Sequence, residues 1–306
     1  LGSGKTTLLH DIIKSAGTRG VQLNVLMNEV GRTDTDSSVL KRADKNLAIE
    51  SLLDGCMCCN KKSEVAGAIC KLASQRPDAI VVELTGVADP EEVADTLSEP
   101  ELLSRVELKR VISVLDGENL LDYSSIFTAD REMVRTTTKQ ITFADSLIVN
   151  KMDLVTQKKL DKIKKLIEKE SPGASAVFTE YCRVDLEETV FNSLNDGSGR
   201  MERERDNYEE KLGHSRIKTI RLDIDGPLQS KRAVENFFKT FRPGLLRAKG
   251  YVPVKSEHKM YLMQHVIRKT SWERVEVTSS PFLILIGLEL DEKRIQEEWA
   301  KLHAVS

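Results

Sequence analysis

Several things are scarce in these 306 residues. No apolar run approaches the roughly 18 residues that a membrane-spanning helix needs. The most apolar stretch, PFLILIGLEL, has the length of a buried strand, so no membrane partner is expected. Excess positive charge is missing too. The 46 Lys and Arg stand against 48 Asp and Glu, for a net charge of −2, which leaves no electrostatic case for nucleic acid as a partner. No signal peptide, internal repeat or low-complexity array is visible. The five cysteines do not form a disulfide framework, because three of them crowd into Cys56, Cys58 and Cys59. They read as free thiols in a reducing, cytoplasmic setting. The chain opens at Leu1 and not at Met, so an upstream segment is expected.

The length and an apolar share of 40% suit two domains, each with a core. Over residues 1–194, β-rich runs (VQLNVLMNE, DAIVVELTG, RVISVLDG, DSLIVNKMD, SAVFTEY) alternate with helix-like stretches (TTLLHDIIKSAG, SEVAGAICKLASQ, KKLDKIKKLIEKE). That alternation predicts an α/β fold, a parallel sheet with helices on both faces. Residues 195–215 are polar and highly charged and read as a linker. From 216 to 306 the texture changes to RIKTIRLDID, SKRAVENFFKTF, KMYLMQHVIRK, WERVEVT, PFLILIGLEL and DEKRIQEEWAKLH. This predicts a smaller α+β domain with a mostly antiparallel sheet.

Chemistry enters at the first residues. LGSGKTTLL carries the end of a GxxxxGK[ST] phosphate loop, whose first Gly would lie two positions ahead of Leu1. Gly2, Ser3, Gly4 and Thr7 would offer backbone N–H groups to an anion at a helix N-terminus. Lys5 would place a charge on the β/γ-phosphates, and the Thr6 hydroxyl would ligate Mg2+. In LIVNKMD, Asn150, Lys151 and Asp153 end an apolar strand, where open α/β sheets bind ligands. A carboxylate at Asp153 can accept both N1–H and the 2-amino N–H of guanine, a donor pair adenine lacks. In VVELTG, Glu83 ends a strand that reads as buried, near the Mg2+ shell or the attacking water, and Gly86 would meet the γ-phosphate. NEVGRTDTD carries Glu29 and Asp36 in a loop suited to sense γ-phosphate and Mg2+, Asp36 as a magnesium ligand and Glu29 or Glu83 orienting water. Together these motifs predict that the α/β domain is a phosphate-loop GTPase.

The thiols of GCMCC follow another apparent strand, NLAIESLL. Soft thiolates select Zn2+, Cu(I) or iron–sulfur clusters. No second cysteine pair exists to close a structural zinc site, so Cys56, Cys58 and Cys59 leave room for a further ligand and for release. Packing or redox cysteines remain the alternative, and Cys70 and Cys182 read as buried packing cysteines. His258 and His265 are either additional ligands or plain strand-surface histidines.

As a set, LGSGKTTLL, NEVGRTDTD, GCMCC, ELTGVADP and ADSLIVNKMDL, with GLLRAKGYV and FLILIGLELD downstream, resemble the CobW family of metallochaperone GTPases, relatives of the UreG and HypB proteins. The resemblance spans the chain. It implies GTP hydrolysis with slow intrinsic turnover, and a transition metal, zinc or cobalt (Co2+), held by the CxCC cysteines. It also implies delivery of that metal to a client metalloprotein, with monomer and nucleotide-dependent homodimer both open. The His-rich segment many members carry between domains is absent, with only His214 there. Two other readings stay open. One is a regulatory GTPase switch without metal transfer. The other is a phosphate-loop kinase or ATPase acting on a small molecule.

Overall fold

The computed structural model describes residues 2–29, 47–53, 62–86, 88, 90–97, 99, 102, 105–195, 215–266, 269–276 and 280–304. The chain divides into two compact units, Leu1–Ser215 and Arg216–Ser306.

The first unit begins with helix α1 (Lys5–Arg19), entered from Gly4 and closed by Gly20, whose left-handed backbone lets its N–H reach the Ala16 and Gly17 carbonyls. Strands β1 (Leu23–Glu29), β2 (Ala48–Leu53) and β3 (Ala79–Glu83) pair in parallel in the order β2-β1-β3. Strands β4 (Ile112–Asp116), β5 (Ser146–Asn150) and β6 (Ser175–Phe178) form a second parallel sheet in that order. Helix α2 (Lys62–Ser74) joins β2 to β3, and α3 (Pro90–Leu97) follows β3. Helix α4 (Arg131–Thr142) precedes β5, and α5 (Gln157–Glu170) precedes β6. The Asp130 carboxylate accepts the Met133 N–H and so satisfies one of the orphan donors that open α4.

Alternation along the strands fixes what each face meets. In β1, Leu23, Val25 and Met27 pack against Leu8, Leu9, Ile12 and Ile13 of α1, while Leu26 joins Ile69 and Leu72 of α2 on the opposite face. In β5, Ile148 belongs to the α1 core, whereas Leu147 and Val149 pack with Ile141 of α4 and Ile163 of α5. One helix, α1, therefore lies over both sheets, and helices cover both faces as parallel strands require. The parallel strands thus form two three-stranded sheets. The expectation of a buried strand ending in Glu83 changes, because every residue of β3 is only half-buried.

In the second unit, five antiparallel strands run in the order β10-β9-β8-β11-β7. They are β7 (Ile217–Asp223), β8 (Leu245–Val254), β9 (Lys259–Val266), β10 (Lys269–Val275) and β11 (Phe282–Leu288). Helices α6 (Lys231–Thr240) and α7 (Glu292–Ala304) contribute Phe237, Phe238, Ile295 and Trp299 to a core with Leu283 and Leu285 of β11. Ser230 caps α6 by accepting the Ala233 N–H. The central strand β8 is invisible in the sequence pattern because Gly250 and Pro253 interrupt it. Gly250 is required there, since a Cβ at that position would lie 2.0 Å from the Phe282 carbonyl oxygen.

Candidate functional site

The carboxyl ends of the parallel strands gather the polar residues of the first unit. In register, Met27 lies beside Glu83, Glu29 beside Leu53, and Asp116 beside Asn150. Glu29 closes β1 at this edge, and the chain leaves β2 at Leu53, three residues ahead of Cys56. Ligands of open α/β sheets bind at such edges.

Gly2 and Gly4 have φ of 74° and 106°, which L side chains rarely adopt. At Gly4 the space is closed as well: a Cβ would stand 2.5 Å from Cys182 Sγ and 2.6 Å from Asn150 Nδ2. The Gly4 carbonyl starts α1 by accepting the Leu8 N–H at 3.0 Å. No acidic residue occupies the first turn of α1, so the positive end of its dipole is uncompensated toward an anion. Lys5 and Thr6 sit half-buried in that turn, and Thr7 is exposed.

Asn150, 4% exposed, ties the loops together. Its Nδ2 donates to the Ser3 carbonyl at 2.8 Å, and its Oδ1 accepts the Cys182 N–H at 2.9 Å. The Cys182 thiol lies 3.3 Å from the Gly4 carbonyl oxygen. Burial, and then the Asp11 charge, push that thiol up to about 11 against a partial pull from Lys5, so it remains a protonated donor. Cys182 is buried as the sequence suggested, but Cys70 is only half-buried.

Lys151 adopts the left-handed conformation, φ 64°. Its Nζ donates to Asp116 Oδ2 at 2.8 Å. Asn119 Nδ2 and the Glu118 N–H donate to the same carboxylate at 3.2 and 3.0 Å. Burial pushes the Asp116 carboxyl up, but the Lys151 and Asn119 hydrogen bonds, the Lys151 charge and the Glu118 amide outweigh it and hold it below the usual range. Lys151 is correspondingly raised, first by its hydrogen bond to Asp116. Asp153 follows in a short 3-10 turn and is exposed at the same edge.

The Thr6 hydroxyl lies 3.5 Å from Glu83 Oε1. Adjacent oxygens of an octahedral Mg2+, each at about 2.0–2.1 Å from the ion, sit about 3 Å apart. Thr6 and Glu83 are thus the side chains that would hold such an ion. Three residues past Glu83, the Gly86 carbonyl accepts from Gln140 Nε2 of α4 at 3.0 Å, as does that of Ala88 at 3.3 Å.

The structure thus brings together Gly2, Ser3, Gly4, Lys5, Thr6, Glu83, Asn150 and Lys151. Glu29 closes β1 at the same edge. Cys56, Cys58, Cys59 and Asp36 lie outside the described residues. Among the described residues no three His, Cys, Asp or Glu side chains gather into a metal-holding group. His265 is not on a strand surface: it is 2% exposed, 2.8 Å from Thr270 Oγ1, with its ring 4.7 Å from that of Phe238. Asp116, Asn119, Gln140 and Cys182 are site residues that motif reasoning missed. Only Asp116 left a trace, an acid ending an apolar strand just before Gly117.

Comparison with known proteins follows the same division. Residues 1–178 match the family CobW/HypB/UreG, nucleotide-binding domain, and residues 217–303 match the cobalamin synthesis protein cobW C-terminal domain. The zinc chaperone YjiA of Escherichia coli (strain K12) is 27% identical over 322 residues, covering 99% of this chain and 96% of that protein. The zinc-regulated GTPase metalloprotein activator 1 of Schizosaccharomyces pombe is 34% identical over 192 residues, 60% of this chain and 45% of that protein. The crystal structure of Zn(II)-bound YjiA GTPase from E. coli is 23% identical and covers 99% of this chain and 96% of that one, with a TM-score of 0.49.

Proposed function

The chain belongs to the CobW/HypB/UreG family, and from that premise we propose that it is a GTP-hydrolysing metallochaperone that carries zinc on Cys56, Cys58 and Cys59 and hands it to a client metalloprotein. The observation that carries the reading is Asn150. One side chain at the end of β5 holds both the Ser3 carbonyl and the Cys182 amide. The loop that would read guanine through Asp153 and the loop that would cradle phosphates are therefore one mechanical unit.

Within that unit each residue has a task. Lys5 and the amides of Gly2–Thr7 bind and orient the β- and γ-phosphates. Lys151, anchored on Asp116, walls the base site, and Asp153 accepts the guanine donor pair. Thr6, Glu83 and Asp36 would hold Mg2+, whose charge lowers the cost of the negative charge developing on the transferred phosphoryl group. Glu83 or Glu29 orients the water that attacks the γ-phosphorus. The bond to the β–γ bridging oxygen breaks, giving GDP and inorganic phosphate. Neither an arginine finger nor a water-orienting Gln is assigned, so intrinsic turnover is slow.

The cargo, Zn2+ or Co2+, would be held by the thiolates of Cys56, Cys58 and Cys59, which follow β2 in the sequence. Coupling to nucleotide needs a two-state element, and moving it from 1:99 to 99:1 takes about 5.5 kcal/mol of differential binding. Replacing Cys58 and Cys59 singly by Ser and measuring zinc content of the GTP–Mg2+ form tests the assignment. Loss of the metal with GTP binding intact supports it. Unchanged metal content returns the chain to a switch without cargo, and equal competition by ATP and GTP returns it to a small-molecule kinase or ATPase.

A further inference from the structure

The loop that leaves β6 is pinned at both ends to the loop that leaves β5. The Thr179 N–H donates to the Val149 carbonyl at 2.9 Å, and the Thr179 carbonyl accepts the Met152 N–H at 3.1 Å. Three residues on, the Cys182 N–H donates to Asn150 Oδ1 at 2.9 Å. The Thr179 hydroxyl closes the loop on itself by donating to the Arg183 carbonyl at 2.7 Å. Glu180 and Tyr181 therefore sit between two anchors, and both anchors, Met152 and Asn150, belong to the NKMD turn.

Tyr181 and Cys182 have φ of 54° and 55°. Two successive left-handed residues without glycine are costly, and such backbone persists where its surroundings over-determine it, often at binding sites. For Cys182 the reason is visible: the turn carries its thiol to the Gly4 carbonyl. Tyr181 has no such internal task. Gly, Asn or Asp would adopt this backbone at lower cost, yet a tyrosine stands here with 66% of its surface exposed. The Arg183 guanidinium lies 5.7 Å from its ring centroid, a cation–π contact that steadies the ring without burying it.

We infer that Tyr181 binds the nucleobase by stacking, a role that rests on the GTPase reading above. Strands β4, β5 and β6 are neighbours in that order. The end of β5 is thus flanked by the Asp116–Lys151 pair on the β4 side and by Tyr181 on the β6 side. Ligands of such sheets bind beyond the carboxyl ends of the strands, so a purine that offers its donor edge to Asp153 would meet the tyrosine at one flank. Every base has a π-face, so an aromatic wall adds affinity without choosing among bases, whereas a carboxylate chooses. Asp153 then sets which purine is preferred and Tyr181 sets how tightly it is held. The ring reaches no phosphate in this scheme, so its contribution is the same for a nucleoside diphosphate and a triphosphate.

The test measures binding of GTP, GDP and inorganic tripolyphosphate by calorimetry, each with Mg2+, for the protein and for its Tyr181→Ala and Tyr181→Phe forms. Truncating an aromatic that stacks on a base weakens binding by about 5- to 150-fold. The expected result is a loss of that size for Tyr181→Ala, by one common factor for GTP and GDP. Tyr181→Phe, which keeps the ring, should bind both as the unsubstituted protein does, and tripolyphosphate, which has no base, should bind all three forms equally. Equal GTP affinity in all three forms overturns the inference. So does a parallel loss of tripolyphosphate in Tyr181→Ala, because the residue then only shapes the loop beneath Gly4. Failure of the unsubstituted protein to bind either guanine nucleotide while tripolyphosphate binds is a different outcome: it overturns the GTPase reading itself, and the inference with it.

Discussion

Replacing Asp116 by Asn keeps the shape of the side chain and removes its charge. The carboxylate is 5% exposed and its partner Lys151 30% exposed. A hydrogen bond involving a charged group contributes about 1.5–3 kcal/mol net. The exposure of Lys151 screens the pair and favours the lower end, about 1.5–2 kcal/mol. At about 1.4 kcal/mol per factor of ten, that is roughly a 10- to 30-fold change in the opening equilibrium of the first unit. Both tryptophans, Trp272 and Trp299, lie in the second unit. Hydrogen exchange at Leu147, Ile148 and Val149, all fully buried, is therefore the better assay. Affinity for GTP should fall too, by about tenfold, because an unanchored Lys151 must be immobilised when nucleotide binds. The pH dependence separates charge from shape. Asp116 is held below its usual value, so its contribution is complete above about pH 4 and drains away as the pH falls through the lowered value. Lys151 is raised, so its share persists below about pH 10 and is lost as the pH climbs through the raised value. The gap between the two proteins should thus be widest between those limits and close in acid. A gap that persists unchanged at acidic pH, or no change in exchange or GTP affinity at neutrality, would refute the reasoning.

Three further substitutions read other parts of the structure. Gly4→Ala places a methyl 2.5 Å from Cys182 Sγ in a backbone conformation hostile to side chains, so GTP binding measured by calorimetry should be lost. Asp153→Ala should erase most of the preference for GTP over ATP, about 10- to 100-fold in competition binding, while leaving binding of inorganic phosphate unchanged. Gly250→Ala drives a methyl toward the Phe282 carbonyl and should cost the second unit about 3 kcal/mol, seen in tryptophan fluorescence during urea unfolding, with GTP affinity untouched.

Legibility in the sequence followed the physics of each element. The five residues of β5, SLIVN, are all buried and read as a strand because an unbroken apolar run suits a strand covered on both faces. The helices α1, α2 and α5 were plain from their apolar spacing, as were α6 and α7. Strand β8 was hidden because its glycine and proline, breakers in isolation, are there for a close approach to β11 and are tolerated by the ladder. Helix α4 escaped because REMVRTTTKQIT carries a run of three β-branched threonines, weak helix formers, and buries only Thr137 and Ile141. Of the site, the glycines and the NKxD residues announced themselves through fixed spacing. Asp116, Gln140 and Cys182 did not, since each acts through contacts that only the folded chain creates: Asp116 with Lys151, Gln140 with the Gly86 and Ala88 carbonyls, and Cys182 with Asn150 and the Gly4 carbonyl.

A carrier requires that the proposed thiolate metal site and the triphosphate cradle be coupled. The direct measurement is the calorimetric affinity for GTP in the presence of Mg2+, with and without one equivalent of Zn2+. The account predicts tighter GTP binding with zinc, by the same factor by which GTP tightens zinc, typically about 5- to 150-fold for coupled sites. An identical GTP affinity in the two conditions, with zinc shown to be bound, would contradict it.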